Sequence, residues 1–177
     1  MSFQFNIKQA FICGALVSGL ALAGWNPAYG QAAEKTPAQI EAQTKATSAL
    51  VQQHLTKSGL ELEKVEEGQW GIALEGEHNK DIVVAVIVVE DVVVFHSLLA
   101  DRKAIADNTA LLAKMLELSH DVDSVKVALA EDHLYAGADI KVQLLNAEHL
   151  KYLVNQVAVL TDEAYPFLKV ANALPAE

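Results

Sequence analysis

The chain has 177 residues and a formal net charge of −10 at pH 7, and 52% of its residues are hydrophobic. That length suits one domain with an ordinary core. The acidic balance, without any cluster of Lys or Arg, argues against nucleic acid and anionic lipid headgroups as partners. Cys13 is the only cysteine, so the chain beyond it has no disulfide, thiol nucleophile or cysteine-ligated metal.

Residues 1–30 have the organisation of a signal peptide. Lys8 supplies the positive charge, Ala10–Gly24 is an uncharged apolar run, and Ala28-Tyr29-Gly30 offers small residues to a signal peptidase. We expect cleavage near Gly30, with Ala32 as a second choice, and a periplasmic or secreted product without a transmembrane segment. An uncleaved anchoring helix is the alternative, for which the run is short. Residues 31–36 are a linker and residues 37–173 a single domain.

The first part of that domain predicts a helix followed by strands. Thr36 and Pro37 provide an N-cap and a first helical residue, and Ser58-Gly59 ends the helix. Its thin apolar stripe indicates packing at an edge. Leu60–Val65 alternates, which is typical of a half-exposed strand or the entry to one, and Trp70–Leu74 is a second strand. The apolar stripe of the first helix consists of Ile40, Thr47, Leu50, Val51 and Leu55.

The stretch Ile82–Phe95 is the most informative part of the sequence. Eight apolar residues in a row precede Glu90-Asp91, and Val92–Phe95 follows. The β-branched residues favour strands, and the two acids would be costly inside a membrane. We therefore predict a hairpin that turns at Glu90-Asp91. Because strand side chains alternate between faces, both faces of this hairpin are apolar, and only one can pack on the helices.

The second half predicts a helix, two strands and a last helix. A single helix spans Asp101–Leu118, and the polar connection Ser119–Asp123 follows it. Strands are expected at Val125–Leu129 and Tyr135–Leu145. The middle helix should bury Ile105, Thr109, Leu112, Met115 and Leu116, which are spaced by three and four residues.

The last helix begins after its N-cap, Asn146, and Pro166 should kink it or end its first segment. Its apolar stripe consists of Leu150, Leu153, Val154, Val157, Leu160, Ala164 and Leu168. The resulting order is α-β-β-β-α-β-β-α. This order predicts an α+β fold, with a mainly antiparallel sheet and helices on one face.

The C-terminal half carries a family resemblance. The hairpin within residues 125–145, and a helix ending in Asp162-Glu163-Ala164-Tyr165-Pro166, resemble the fold shared by YbjN-like proteins and class I type III secretion chaperones. The resemblance implies a binding or chaperone-like module, often dimeric, with no active site. The chain departs from the pattern in its export leader and in Ser119-His120, where YbjN-like proteins tend to have Asn.

Catalytic and metal-binding patterns are weak in this sequence. The six histidines form neither HxH nor HExxH, and there is no GxSxG motif. One weak site is conceivable if the acids and histidines of two turns, His120–Asp123 and Glu131–His133, converge. We interpret these as solvated turns and predict no catalytic residue, no metal and no cofactor.

We therefore expect a non-enzymatic protein- or peptide-binding, chaperone-like module, with a homodimer or a protein partner formed through the hydrophobic sheet. The alternative is a carrier of a small apolar, lipid-like ligand, for which the second face of the hairpin would line a pocket. The predicted binding residues are Val83, Val84, Val86, Val88, Val92 and Val94.

Overall fold

The computed structural model describes residues 35–130 and 132–175. The predicted signal peptide, residues 1–30, lies outside the described residues, as does most of the linker. The elements in chain order are helix α1 (Pro37–Ser58), strands β1 (Glu63–Glu66), β2 (Gln69–Leu74), β3 (Ile82–Val89) and β4 (Val92–Asp101), helices α2 (Arg102–Ile105) and α3 (Thr109–Asp121), strands β5 (Lys126–Ala130) and β6 (His133–Lys141), and helix α4 (Ala147–Val170).

The strands form one antiparallel sheet in the order β1-β2-β3-β4-β6-β5. The predicted α+β class and antiparallel sheet are confirmed. Four strands rather than three precede the middle helices, because the stretch expected to be a half-exposed strand or only the entry to one contributes the separate strand β1, which turns into β2 at Gly68 with φ 75°. The predicted hairpin turn at Glu90-Asp91 is confirmed, since β3 ends at Val89 and β4 begins at Val92.

The core lies between one face of the sheet and the helices. Alternate residues of β3 and β4 join buried side chains of α1, α3 and α4 in a single cluster. Trp70 of β2 is 1% exposed, and its indole Nε1 donates a 2.7 Å hydrogen bond to Gln52 of α1. This bond satisfies the one polar atom of the largest core side chain. The hairpin residues in the core are Ile82, Val84, Val86, Val88, Val93 and Phe95.

Helix α1 has the predicted ends. The Thr36 hydroxyl accepts from the backbone N–H of Gln39, the Gln39 side chain accepts in return, and Gly59 ends the helix at φ 72°. The stripe is narrower than predicted, since Leu50 is exposed and Ser48 is buried instead. Ser48 fits there because Gly68 of the β1–β2 turn has no side chain to displace its hydroxyl.

The prediction of one helix over Asp101–Leu118 was wrong. Asp101 ends β4, and the chain then forms the short α2 and the separate α3. The break occurs because the Asn108 side chain accepts a 3.0 Å hydrogen bond from the N–H of Leu111, which makes Asn108 the N-cap of α3. The buried stripe is therefore Leu111, Met115 and Leu118, and Leu116 is 65% exposed.

Helix α3 also runs to Asp121, so Ser119 and His120 belong to the helix rather than to a connection. Strand β6 ends at Lys141, earlier than predicted, because Val142–Leu144 forms a 3-10 turn that leads into α4. None of the described helices is long and apolar enough to cross a membrane.

Helix α4 is the main packing element. All seven residues of its predicted stripe are buried. The helix continues through Pro166 to Val170, so the proline does not end it. Pro166 has no N–H to donate to the carbonyl of Asp162, one turn earlier.

The Asp162 carboxylate anchors the loop between β2 and β3. It accepts backbone hydrogen bonds from Glu77, His78 and Asn79 at 2.8, 2.9 and 2.7 Å. Gly76 is required beside it, because a Cβ at that position would overlap the carboxylate. Partial burial raises the pKa of Asp162, but the three N–H donors outweigh burial and hold that pKa below its ordinary value.

We expect Asp162→Asn to lower the free energy of unfolding by about 1–3 kcal/mol at neutral pH, because hydrogen bonds to a charged acceptor are lost. The folded-state pKa is lowered, so the stabilisation by Asp162 is present above the unfolded pKa and lost as the pH falls through the folded one. Urea unfolding of both proteins from pH 7 to pH 2 measures this. The exposed neighbour provides the control, Glu163→Gln, which should change little; an equal loss in both variants would contradict the role of Asp162.

Candidate binding surface

The second face of the β3–β4 hairpin points away from the described helices. Cross-strand pairs on this side are Ala85 with His96, Ile87 with Val94, and Val89 with Val92. The alternate residues belong to the core cluster. We call this side the outer face. Its hairpin residues are Val83, Ala85, Ile87, Val89, Val92, Val94, His96 and Leu98.

The predicted binding residues divide between the two faces. Val83, Val92 and Val94 lie half-buried on the outer face. In contrast, Val84 and Val86 have no exposed surface, and Val88 is 7% exposed. Successive side chains of a strand point to opposite faces. The predicted set includes both odd- and even-numbered positions of the hairpin, so half of its members lie in the core. A direct partner contact remains a prediction for the three outer-face valines, while the other three pack against helices.

The outer face is more sheltered in its middle than at the hairpin tip. Ala85 is 1% and Ile87 8% exposed, whereas Val89 beside the turn is 38% exposed. Tyr135 of β6, which pairs with Leu98, is also buried on this side. The face thus presents a broad apolar surface with a sheltered centre.

Ion pairs border this surface. Lys35 lies 2.9 Å from Glu90 and Lys141 lies 2.8 Å from Asp91, both at the hairpin tip, and Lys126 pairs with Asp139 across β5 and β6. The hydrogen bond to Glu90 raises the pKa of Lys35, and the one from Lys141 lowers the pKa of Asp91. These exposed pairs stabilise the fold only slightly. Each pair joins one positive and one negative side chain, so the border of the outer face is locally neutral.

An aromatic group occupies the outer face near the far end of β4. The rings of His96 and Tyr135 are 5.1 Å apart, and those of His133 and Tyr135 are 5.9 Å apart. His133 Nε2 also lies 3.4 Å from Asp101 Oδ1. The register shift between Leu98 and Ala100 lets Asp101 face His133.

Sequence reasoning missed this aromatic group because its members come from two strands 37 residues apart, His96 and His133. Only the pairing register brings them together. Gly137 stands directly opposite His96, where a Cβ would lie 3.1 Å from the carbonyl oxygen of Phe95.

The two polar turns around β5 do not converge. His120 and Asp121 lie at the end of α3, before β5, and Asp132 follows β5. A five-residue strand separates the two turns by about 16 Å at roughly 3.3 Å per residue. Asp123 instead accepts a 2.9 Å hydrogen bond from the Tyr152 hydroxyl, which raises the pKa of Tyr152. Within residues 35–130 and 132–175, no group of three or more potential ligands could hold a metal.

A second apolar region lies between α3 and the end of α4. Phe167 is 39% and Val170 90% exposed, and they border an open groove with Asn108, Leu111 and Lys114. The Lys114 ammonium lies 5.1 Å from the centre of the Phe167 ring. Sequence reasoning missed this region, because the break before α3 was not predicted.

Comparison with known proteins supports the fold. No protein-family model and no curated protein sequence matches the chain. YbjN from E. coli is 12% identical, with a TM-score of 0.53, and the match covers 72% of this chain and 95% of that one. An uncharacterized protein from Methanothermobacter thermautotrophicus is 11% identical, with a TM-score of 0.51 and coverage of 70% and 97%.

A chain of the ExsC–ExsE complex also matches at 11% identity, with a TM-score of 0.50 and coverage of 71% of this chain and 95% of that chain. The predicted fold, that of YbjN-like proteins and type III secretion chaperones, is therefore confirmed. At these identities the likeness concerns the fold alone.

The hairpin tip gives a test of the geometry of this surface. Glu90 has φ 53°, in the left-handed region that costs most L-residues energy but suits Asn. We expect Glu90→Asn to raise the free energy of unfolding by roughly 0.5–1 kcal/mol, as measured by urea denaturation. Lys35→Gln removes the same ion pair without changing the turn and should not stabilise. A less stable Asn variant would contradict the strained turn.

Proposed function

We propose that this protein is an exported, non-enzymatic, chaperone-like module that binds a protein partner or a second copy of itself through the outer face of its sheet. The observation that carries the proposal is the apolar outer face, which lies opposite the helices and belongs to a domain whose core is already complete on the other side. A module of this kind needs no reacting group, only a shaped apolar surface.

The energetics favour a protein-sized occupant. Full burial of one exposed Val or Leu side chain stabilises a complex by about 1.5–3 kcal/mol. Val83, Val89, Val92 and Val94 all retain exposed surface on the outer face. The neutral ion pairs at its border impose little charge repulsion on an incoming partner. An extended apolar segment or a second sheet would cover such a flat area.

The known structures are compatible with this proposal. One match belongs to a complex of two proteins, ExsC and ExsE. We infer that the same fold in this chain also serves a protein partner. Export and the choice between a second copy and a different partner remain parts of the proposal.

A carrier of a lipid-like ligand would need an enclosed apolar cavity. In the described parts of the chain, one open groove runs along α3 and another lies between α3 and α4. Neither lies on the outer face. No observation therefore favours the carrier over the binding module.

Two neighbouring valines provide a matched test of the outer face. Val84→Asp places a charge in the core, so we expect the chain to unfold. Val83→Asp places the same charge on the outer face, so the protein should fold but lose self-association or partner binding. Circular dichroism reports folding, and light scattering with pull-down from an envelope extract reports association.

If both variants unfold, both faces are covered within one monomer and the binding surface is refuted. A further variant tests the centre of the face with little expected cost in stability: Val94→Lys places a cation opposite Asp139, its cross-strand neighbour. Unchanged association of both folded variants, Val83→Asp and Val94→Lys, would also contradict the proposal.

The export step predicts that the native protein begins near Gln31. N-terminal sequencing of protein from its own cells, with separation of cytosolic and envelope fractions, measures this. An intact Met1 on a cytosolic protein would overturn export while leaving outer-face binding open to the valine test.

A further inference from the structure

The described chain begins beside the outer face. Lys35 forms its 2.9 Å ion pair with Glu90 at the tip of the β3–β4 hairpin, and α1 starts two residues later on the helical side of the sheet. The first described side chain, Lys35, therefore reaches the border of the outer face. The apolar run Ala10–Gly24 lies only eleven residues before Lys35.

The segment between the apolar run and Lys35 is long enough for the run to reach the whole outer face. Eleven residues span up to about 36–40 Å when extended. Strand β3 has eight residues and is about 26 Å long at roughly 3.3 Å per residue. From the hairpin tip, the apolar run can thus lie along β3 and β4 without strain.

The outer face has the chemistry that this run requires. Ala10–Gly24 contains no charged residue, and the hairpin residues of the outer face include no Asp, Glu, Lys or Arg. At the centre of the face, Ala85 and Ile87 are apolar side chains with little exposed surface, between neighbours on both flanking strands. Covering both apolar surfaces with each other removes both from water.

We propose that Ala10–Gly24 covers the outer face of the uncleaved chain, and that cleavage near Gly30 removes this cover and frees the face for its partner. The inference rests on the proposed function, because it assigns regulation to the same surface. The precursor is thereby protected from association through its own sheet, and binding begins only after export.

Cys13 makes the contact measurable, because it is the only cysteine and lies within the apolar run. A nitroxide attached to Cys13 of the full chain broadens methyl signals nearby. We expect Val83, Ile87 and Val94 to lose most of their signal intensity relative to the reduced label. Leu116 and Val170, exposed apolar side chains on the helices, should keep theirs.

A substitution on the outer face should release the run. We expect Val89→Asp, at a 38% exposed position of the outer face, to restore the signals of Val83 and Val94, whereas Leu116→Asp, at an exposed apolar position on α3, should leave the broadening intact. Circular dichroism verifies that both variants fold. A mixture of spin-labelled chains with isotopically labelled Cys13→Ser chains distinguishes contact within one chain from contact between copies.

Equal intensities across all five methyl reporters, broadening centred on Val170, or broadening only in the mixed sample would overturn the inference. The proposed function is judged separately, by the association of residues 31–177. If that shorter chain does not associate although the spin label broadens the outer face, the cover exists and the partner-binding function fails. If it associates and the outer face is not broadened, the function stands and the cover is refuted.

Discussion

The two apolar faces of the β3–β4 hairpin are the constraint on which this structure depends. A strand places successive side chains on opposite sides, so the uninterrupted run Ile82–Val89 cannot be satisfied by one layer of helices. Helices α1, α3 and α4 bury one of the two alternating sets of side chains, which includes Val84 and Phe95. The other set forms the outer face, which the described helices do not cover.

The helical layer is held in place by a few polar contacts rather than by packing alone. Gln52 on α1 accepts from the buried Trp70 indole, and Asp162 on α4 gathers three N–H groups of the loop that leads into β3. The first contact connects α1 to β2, and the second connects α4 to the loop between β2 and β3. Both oppose a slip of β3 by one residue, which would move every side chain of the strand to the other face.

Elements with a regular apolar pattern were predicted from the sequence, whereas a helix boundary set by a single capping side chain was not. The α4 stripe and the hairpin turn followed from periodicity, since each involves many residues in one element. The break at Asn108 depends on one side chain that accepts from Leu111, and it shifts the buried face of α3 away from Leu116. A second apolar face was expected. Which alternate residues form it, and the contact between His96 and Tyr135 on it, depend on pairing between distant strands.

If the chain is exported as proposed, its apolar sheet face is a hazard before export, because exposed apolar patches promote association. An acidic domain limits this only through long-range repulsion, which physiological salt screens beyond about 8 Å. The short edge strand β1 is protected by Glu63, Lys64 and Glu66, whose charges oppose pairing with other sheets. The outer face has charges only at its border, so repulsion between charges gives its centre little protection against association.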